Sequence, residues 1–192
     1  MTRRIAIATA AVVALALPAG ALGDHGPSKQ NKENAAKFCK ALRKASGDAN
    51  FRAMFPTNKK GQNAFGKCVS KNAKLDQKQE QTAKSDAVNQ CKAERAQDPA
   101  AFKQKYGTNK NGKNAFGKCV SQHAKQNKAE ADKADQNKVN AAKDCKAEQD
   151  QDAAAFKQKY GTNKNHKNAF GKCVSQKSKQ KDQQDQNGGS ST

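Results

Sequence analysis

Tyr106-Gly107-Thr108-Asn109-Lys110-Asn111-Gly112-Lys113-Asn114-Ala115-Phe116-Gly117-Lys118-Cys119-Val120-Ser121 decides how the chain is read, because most of it occurs three times. Asn114 to Ser121 recurs as Asn63 to Ser70 and as Asn168 to Ser175. Thr-Asn-Lys precedes each copy, at Thr57, Thr108 and Thr162. Before it stands an aromatic pair four residues apart: Phe51/Phe55, Phe102/Tyr106 and Phe156/Tyr160. Further upstream lies a second cysteine, at Cys39, Cys91 and Cys145. A fixed period of this kind marks a repeat architecture. Here the units start 52 and then 54 residues apart.

Each unit reads as three short helices. The first carries an apolar stripe such as Ala87, Val88 and Cys91. The second opens at an acidic N-cap, Asp98 followed by Pro99, with Asp48 and Asp152 in the equivalent places. It sets Phe102 and Tyr106 on one face and stops at Gly107. The third opens near Asn114 and presents Phe116, Cys119 and Val120 at helical spacing. So small a core needs a covalent staple. A disulfide closing a loop of this length contributes roughly 3–4 kcal/mol in the chain-entropy model.

Residues 69–90 and 120–144 contain neither Gly nor Pro and are rich in Ala, Lys, Gln and Glu. They read as helix three of one unit continuing into helix one of the next. Cys68 and Cys91 would then stand roughly 34 Å apart on one helix, at about 1.5 Å per residue. This leaves Cys39–Cys68, Cys91–Cys119 and Cys145–Cys173 as the pairing. The expected fold is all-α: three tandem disulfide-closed units (34–74, 87–125 and 141–179) joined by long exposed helical connectors (75–86 and 126–140), an extended string. Glu80–Lys84 supports the first connector at i,i+4 spacing. The polar, Gly/Ser-rich tail 180–192 is expected to be disordered.

Residues 1–23 read as an export signal. Arg3 and Arg4 precede an apolar run from Ile5 to Leu17, closed by Pro18 and by small residues that allow cleavage after Ala21 or Gly23. The run has 13 residues where a spanning helix needs roughly 20. No second apolar stretch follows, so no integral membrane span is expected. An even cysteine count in an exported chain means disulfides before metal.

Formal net charge is +20, and its distribution follows the repeat. Segment 39–74 holds nine basic residues and one acidic, 91–125 eight and two, and 145–179 eight and three. The intervening stretches 75–90 and 126–144 hold two against three and four against four. Lys59, Lys60 and Lys67 in unit one are candidates for contacting an anion. So are Lys103, Lys105, Lys110, Lys113 and Lys118 in unit two, and Lys157, Lys159, Lys164, Lys167 and Lys172 in unit three. A field focused in this way attracts polyanions. The expected partner is an anionic cell-surface polymer, extracellular nucleic acid or an acidic glycan. The alternative is a spacer protein that makes protein–protein contacts without a polyanion. Lys outnumbers Arg 32 to 5, which argues against bidentate recognition of phosphate.

Other chemistries fit poorly. Gly107 to Asn114 imitates a phosphate-binding P-loop but ends in Asn, without the hydroxyl that holds magnesium. Ser70, Ser121 and Ser175 have no histidine at a repeated position to act as base. His123 aligns with Asn72 and Lys177, and His166 with glycines, so the histidines offer no repeated metal ligand. No cofactor, metal or catalytic residue is expected. Tyr106 and Tyr160 align with Phe55, so the ring is expected to matter and the hydroxyl not. Gly66, Gly117 and Gly171 suggest close backbone packing beside each bridge.

The string at 106–121 resembles a repeat of uncharacterised secreted proteins from high-GC Gram-positive bacteria, across roughly residues 34–179. The resemblance implies export and a bacterial source, and no particular activity. Unit one departs from it with Phe55-Pro56 for Tyr-Gly and Lys60 for Asn.

Overall fold

The two stretches without Gly or Pro form uninterrupted helices. The structure, a computed structural model, describes residues 26–56 and 63–188, and the 1–23 segment read as an export signal lies outside them. Within the described residues the elements are α1 (Lys29–Ser46), α2 (Asp48–Met54), α3 (Ala64–Gln97), α4 (Pro99–Tyr106), α5 (Ala115–Gln151), α6 (Ala153–Tyr160) and α7 (Ala169–Gly188), with no strand. Helix α3 joins unit one to unit two, and α5 joins unit two to unit three. Their 34 and 37 residues span about 51 and 55 Å at 1.5 Å per residue.

Three bridges close the units: Cys39–Cys68, Cys91–Cys119 and Cys145–Cys173, each with Cα atoms 6.0–6.1 Å apart. The caps of α4 and α6 are as expected. Asp98 Oδ1 accepts from the amides of Ala100 and Ala101, and Asp152 Oδ1 from those of Ala154 and Ala155, all at 2.9 Å. Asp48 does not cap. It is the first residue of α2 and caps nothing; instead Arg43 Nη2 donates to its Oδ2 at 3.1 Å.

The units do not lie along a string. The long helices fold back on one another in antiparallel order: Asn127 Nδ2 on α5 donates to the Ala83 carbonyl of α3 at 3.2 Å, between the Cys91–Cys119 bridge and the base. Helix α7 returns along α5, where Asn137 Nδ2 donates to Asp182 and Asp185 at 2.8 Å each and Lys181 pairs with Asp144. Helix α1 runs parallel to α5, with Lys138 above the Phe38 ring, and α2 continues the contact, Asn50 Nδ2 donating to Gln149 at 2.6 Å. Four long helices thus pack at one end, and the α3–α5 hairpin projects beyond them with unit two at its tip.

This packing merges two units that are farthest apart in sequence. Cys39, Leu42, Phe51 and Cys68 of unit one share one core with Ala141, Ala142, Cys145, Phe156, Tyr160, Phe170 and Cys173 of unit three. Unit two keeps a core of its own: Cys91, Phe102, Tyr106, Ala115 and Cys119, with Phe116 and Val120 against it. The long helices pack through small side chains, with Ala83, Ala87, Ala141 and Ala142 buried and Leu75 exposed. Small residues let helix axes approach without a conspicuous apolar stripe, so close packing needs no large side chain there. Glu80 and Lys84 form no ion pair.

The tail, expected to be disordered over 180–192, differs in its described part, and 189–192 lie outside the described residues. Residues 180–188 are helical, because the hydrogen bonds from Asn137 and the Lys181–Asp144 pair bind this polar stretch to α5. No helix among the described residues is long and apolar enough to cross a membrane.

Candidate functional site

The turn between the short helix and the third helix has the same build in units two and three. The Thr108 amide donates to Asn114 Oδ1 at 3.1 Å, while Asn114 Nδ2 donates to Thr108 Oγ1 at 2.7 Å. Thr162 and Asn168 repeat both bonds at 3.1 and 2.7 Å. Inside this brace the Lys113 amide donates to Asn111 Oδ1, and the Lys167 amide to Asn165 Oδ1. The recurring Thr and Asn are therefore the clasp of a rigid loop. Gly112 occupies the left-handed region at φ 63°, and His166 takes the same conformation at φ 50°. Gly107 is required by close approach: a methyl group there would meet the Lys103 carbonyl oxygen at 2.4 Å and Gly112 Cα at 2.9 Å.

Two of the thirteen candidate lysines, Lys59 and Lys60, lie outside the described residues. Lys67 donates to the Pro56 carbonyl. Lys105 and Lys159 are already engaged, with Glu94 at 3.2 Å and Glu148 at 2.6 Å. The other eight, Lys103, Lys110, Lys113, Lys118, Lys157, Lys164, Lys167 and Lys172, are exposed and pair with no acid among the described residues. Lys110 and Lys113 sit on the braced turn of unit two, Lys164 and Lys167 on that of unit three. Lys118 and Lys172 follow at the starts of α5 and α7, whose first turns contain no acidic residue.

Beside each of these two bridges is a polar cluster that the repeat alignment did not disclose. In unit two the Tyr106 hydroxyl donates to Glu94 Oε2 at 2.8 Å, Lys105 Nζ reaches the same oxygen, and His123 Nε2 lies 2.8 Å from Glu94 Oε1. The Tyr106 hydroxyl, then Lys105 and His123, hold the Glu94 carboxyl below the ordinary carboxylate range, although burial opposes them. In unit three Glu148 receives Lys159, Lys177 and the Tyr160 hydroxyl, at 2.6, 2.8 and 3.0 Å. Lys159 first, then Lys177, bring it down to about 2. The tyrosine hydroxyls thus matter, contrary to the expectation from Phe55. The signal lay in four positions that change together: Leu42, Met54, Phe55 and Asn72 in unit one against Glu, Lys, Tyr and His or Lys in the others.

Compared with known families, curated proteins and solved structures, the chain finds no match. The glycines near the bridges do not share a packing role. A methyl group at Gly117 would meet nothing within 4 Å, at Gly171 only Met54 at 3.8 Å, and at Gly66 the side chain of Asn63.

His123 lies next to the Cys91–Cys119 sulfurs, and ligand atoms from the three residues fall within 4.8 Å of one another. With the sulfurs joined to each other, no thiolate is available there for a metal.

Proposed function

We propose that this is a secreted, non-catalytic protein that binds anionic polymers or surfaces through its basic units. The observation that carries this reading is the pair of braced turns, each offering unpaired lysines on a backbone already held in shape. A rigid turn loses little conformational entropy when its lysines meet a ligand. The start of a helix favours anions, and a cation near it opposes the helix dipole by about 0.3–1 kcal/mol. Lys118 and Lys172 stand near such starts with no acid in the first turn. Stability alone gives no reason for that placement, whereas an anion seated there would. The two turns belong to units separated by most of the length of α5, so a polymer long enough to span it would engage both and gain from multivalency.

The partner classes that fit are wall polymers, extracellular nucleic acid and acidic glycans, with export from a bacterial cell as the setting. The test is salt elution of the full chain from a sulfated-polysaccharide matrix. The expected result is elution above the roughly 0.15 M of physiological ionic strength. Replacing Lys110, Lys113, Lys164 and Lys167 together by Gln should bring it below that point, and replacing one pair should fall between. Elution below physiological salt, unmoved by the four substitutions, would favour the spacer reading instead.

A further inference from the structure

We propose that reduction of the Cys91–Cys119 bridge turns unit two into a zinc site, with the two thiolates, the His123 imidazole and the Glu94 carboxylate as ligands. The four residues sit on two facing helices. Cys91 and Glu94 are one turn apart on α3, and Cys119 and His123 one turn apart on α5. Donor atoms of Cys91, Cys119 and His123 already lie within 4.8 Å of one another, and Glu94 Oε1 is 2.8 Å from His123 Nε2. Tetrahedral zinc with bonds of about 2.0–2.3 Å needs donors roughly 3.3–3.8 Å apart. The bonded sulfurs therefore separate once the bridge opens, and Glu94, which lies outside the 4.8 Å group, swings in from its contact with His123 by side-chain rotation. Both sulfurs are fully buried, while the His123 and Glu94 side chains keep 21% and 31% exposure, so the ion can enter from solvent.

The chemistry balances with a dithiol or phosphine as reductant. It supplies two electrons, the S–S bond breaks, and two protons from water complete the thiols. Zinc then displaces those two protons to solvent as the Zn–S bonds form. The other units are internal controls. Unit one has Leu42 and Asn72 in these places, and unit three has Glu148 with Lys177, which offers no imidazole where unit two has His123. The site is thus confined to the unit whose core is not shared. It does not depend on the anion-binding reading.

The test uses the full chain reduced by a phosphine, one equivalent of zinc, and a limiting alkylating agent, with each cysteine followed by mass spectrometry. Zinc should slow alkylation of Cys91 and Cys119 by roughly tenfold or more relative to Cys39, Cys68, Cys145 and Cys173. His123→Asn, which places the unit-one residue there, should abolish that difference, with circular dichroism reporting that the helices persist. Glu94→Gln should weaken it. Equal protection of all six cysteines, including through loss of the fold on reduction, overturns the proposal. Undiminished protection in His123→Asn overturns it as well.

Discussion

Unit three buries Phe170 in the core it shares with unit one, whereas unit two leaves the equivalent Phe116 half-buried beneath the Arg95 guanidinium, 5.0 Å from the ring centroid. Near-identical sequence thus has two fates, and the cause is a handful of side chains on unit one. Leu42, Met54 and Phe55 present an apolar surface where units two and three carry Glu, Lys and Tyr. Unit one can therefore be covered by α5 and α7. Unit three has Glu148 and Lys159 in those places and still joins the shared core, so one apolar partner suffices. Unit two, at the tip of the α3–α5 hairpin, has no such partner and keeps a core of its own. A repeat sets the fold of a unit, and its departures from the repeat set which units associate.

The comparison breaks most visibly at the bridges. Cys91→Ser with Cys119→Ser should cost unit two about 3–4 kcal/mol, nearly everything its small core provides. Hydrogen exchange should then show α4 and its turn unprotected while the shared core of units one and three stays closed. Loss of protection throughout would mean that the two ends are a single cooperative body. Next in size is Leu42→Ala. Leu42 is 4% exposed within the shared core, so the expected loss is about 2–4 kcal/mol by denaturant unfolding. Glu94→Ala, the matching change in unit two, should cost about 1 kcal/mol or less, since its partners remain in reach of water.

Acid sharpens the contrast further. The folded-state pKa of Glu148 is depressed to about 2, so its stabilisation is present above the unfolded value and is lost as pH falls from about 4.5 towards 2. Glu148→Gln should flatten that limb of the stability curve. Asp76, on the α3–α5 hairpin, has the opposite sign. Burial, then the nearby Asp135 carboxylate, raises it to about 6. The folded state therefore binds the extra proton, and stability falls as pH rises from about 4 through 6. Asp76→Asn should raise the unfolding midpoint at pH 7 by about 1–3 °C, discounted for solvent screening, with no gain at pH 4. Gly117→Ala acts in the stabilising direction. The space beside it is open, so up to about 1 kcal/mol of helix stability should be gained.

Much of this architecture was readable from particular residues. The absence of Gly and Pro between Cys68 and Cys91 required one helix, which in turn required pairing within each unit. Asp98-Pro99 located α4 to the residue. Folding back was not readable, because alanines such as Ala83 and Ala141 pack helices together without leaving a strong hydrophobic period. Helicity of the tail was missed because Asn137, Asp182 and Asp185 are polar residues whose contact crosses two helices. At the candidate site the lysines were evident as charge. That Lys105 and Lys159 are committed to Glu94 and Glu148 depends on partners eleven residues away across a helix junction, and spacing alone does not reveal them.

The shared core has a consequence for the order in which the molecule is made. Unit two is built from neighbours in the chain, while unit one meets its partner across a sequence separation such as the 99 positions from Asn50 to Gln149. Closing so long a loop is slow relative to local contacts. We expect the unit synthesised first to be completed last: the Cys39–Cys68 bridge closes a loop as short as that of Cys91–Cys119, yet stays open to exchange until unit three packs against it. Pulsed alkylation during oxidative refolding would record that sequence.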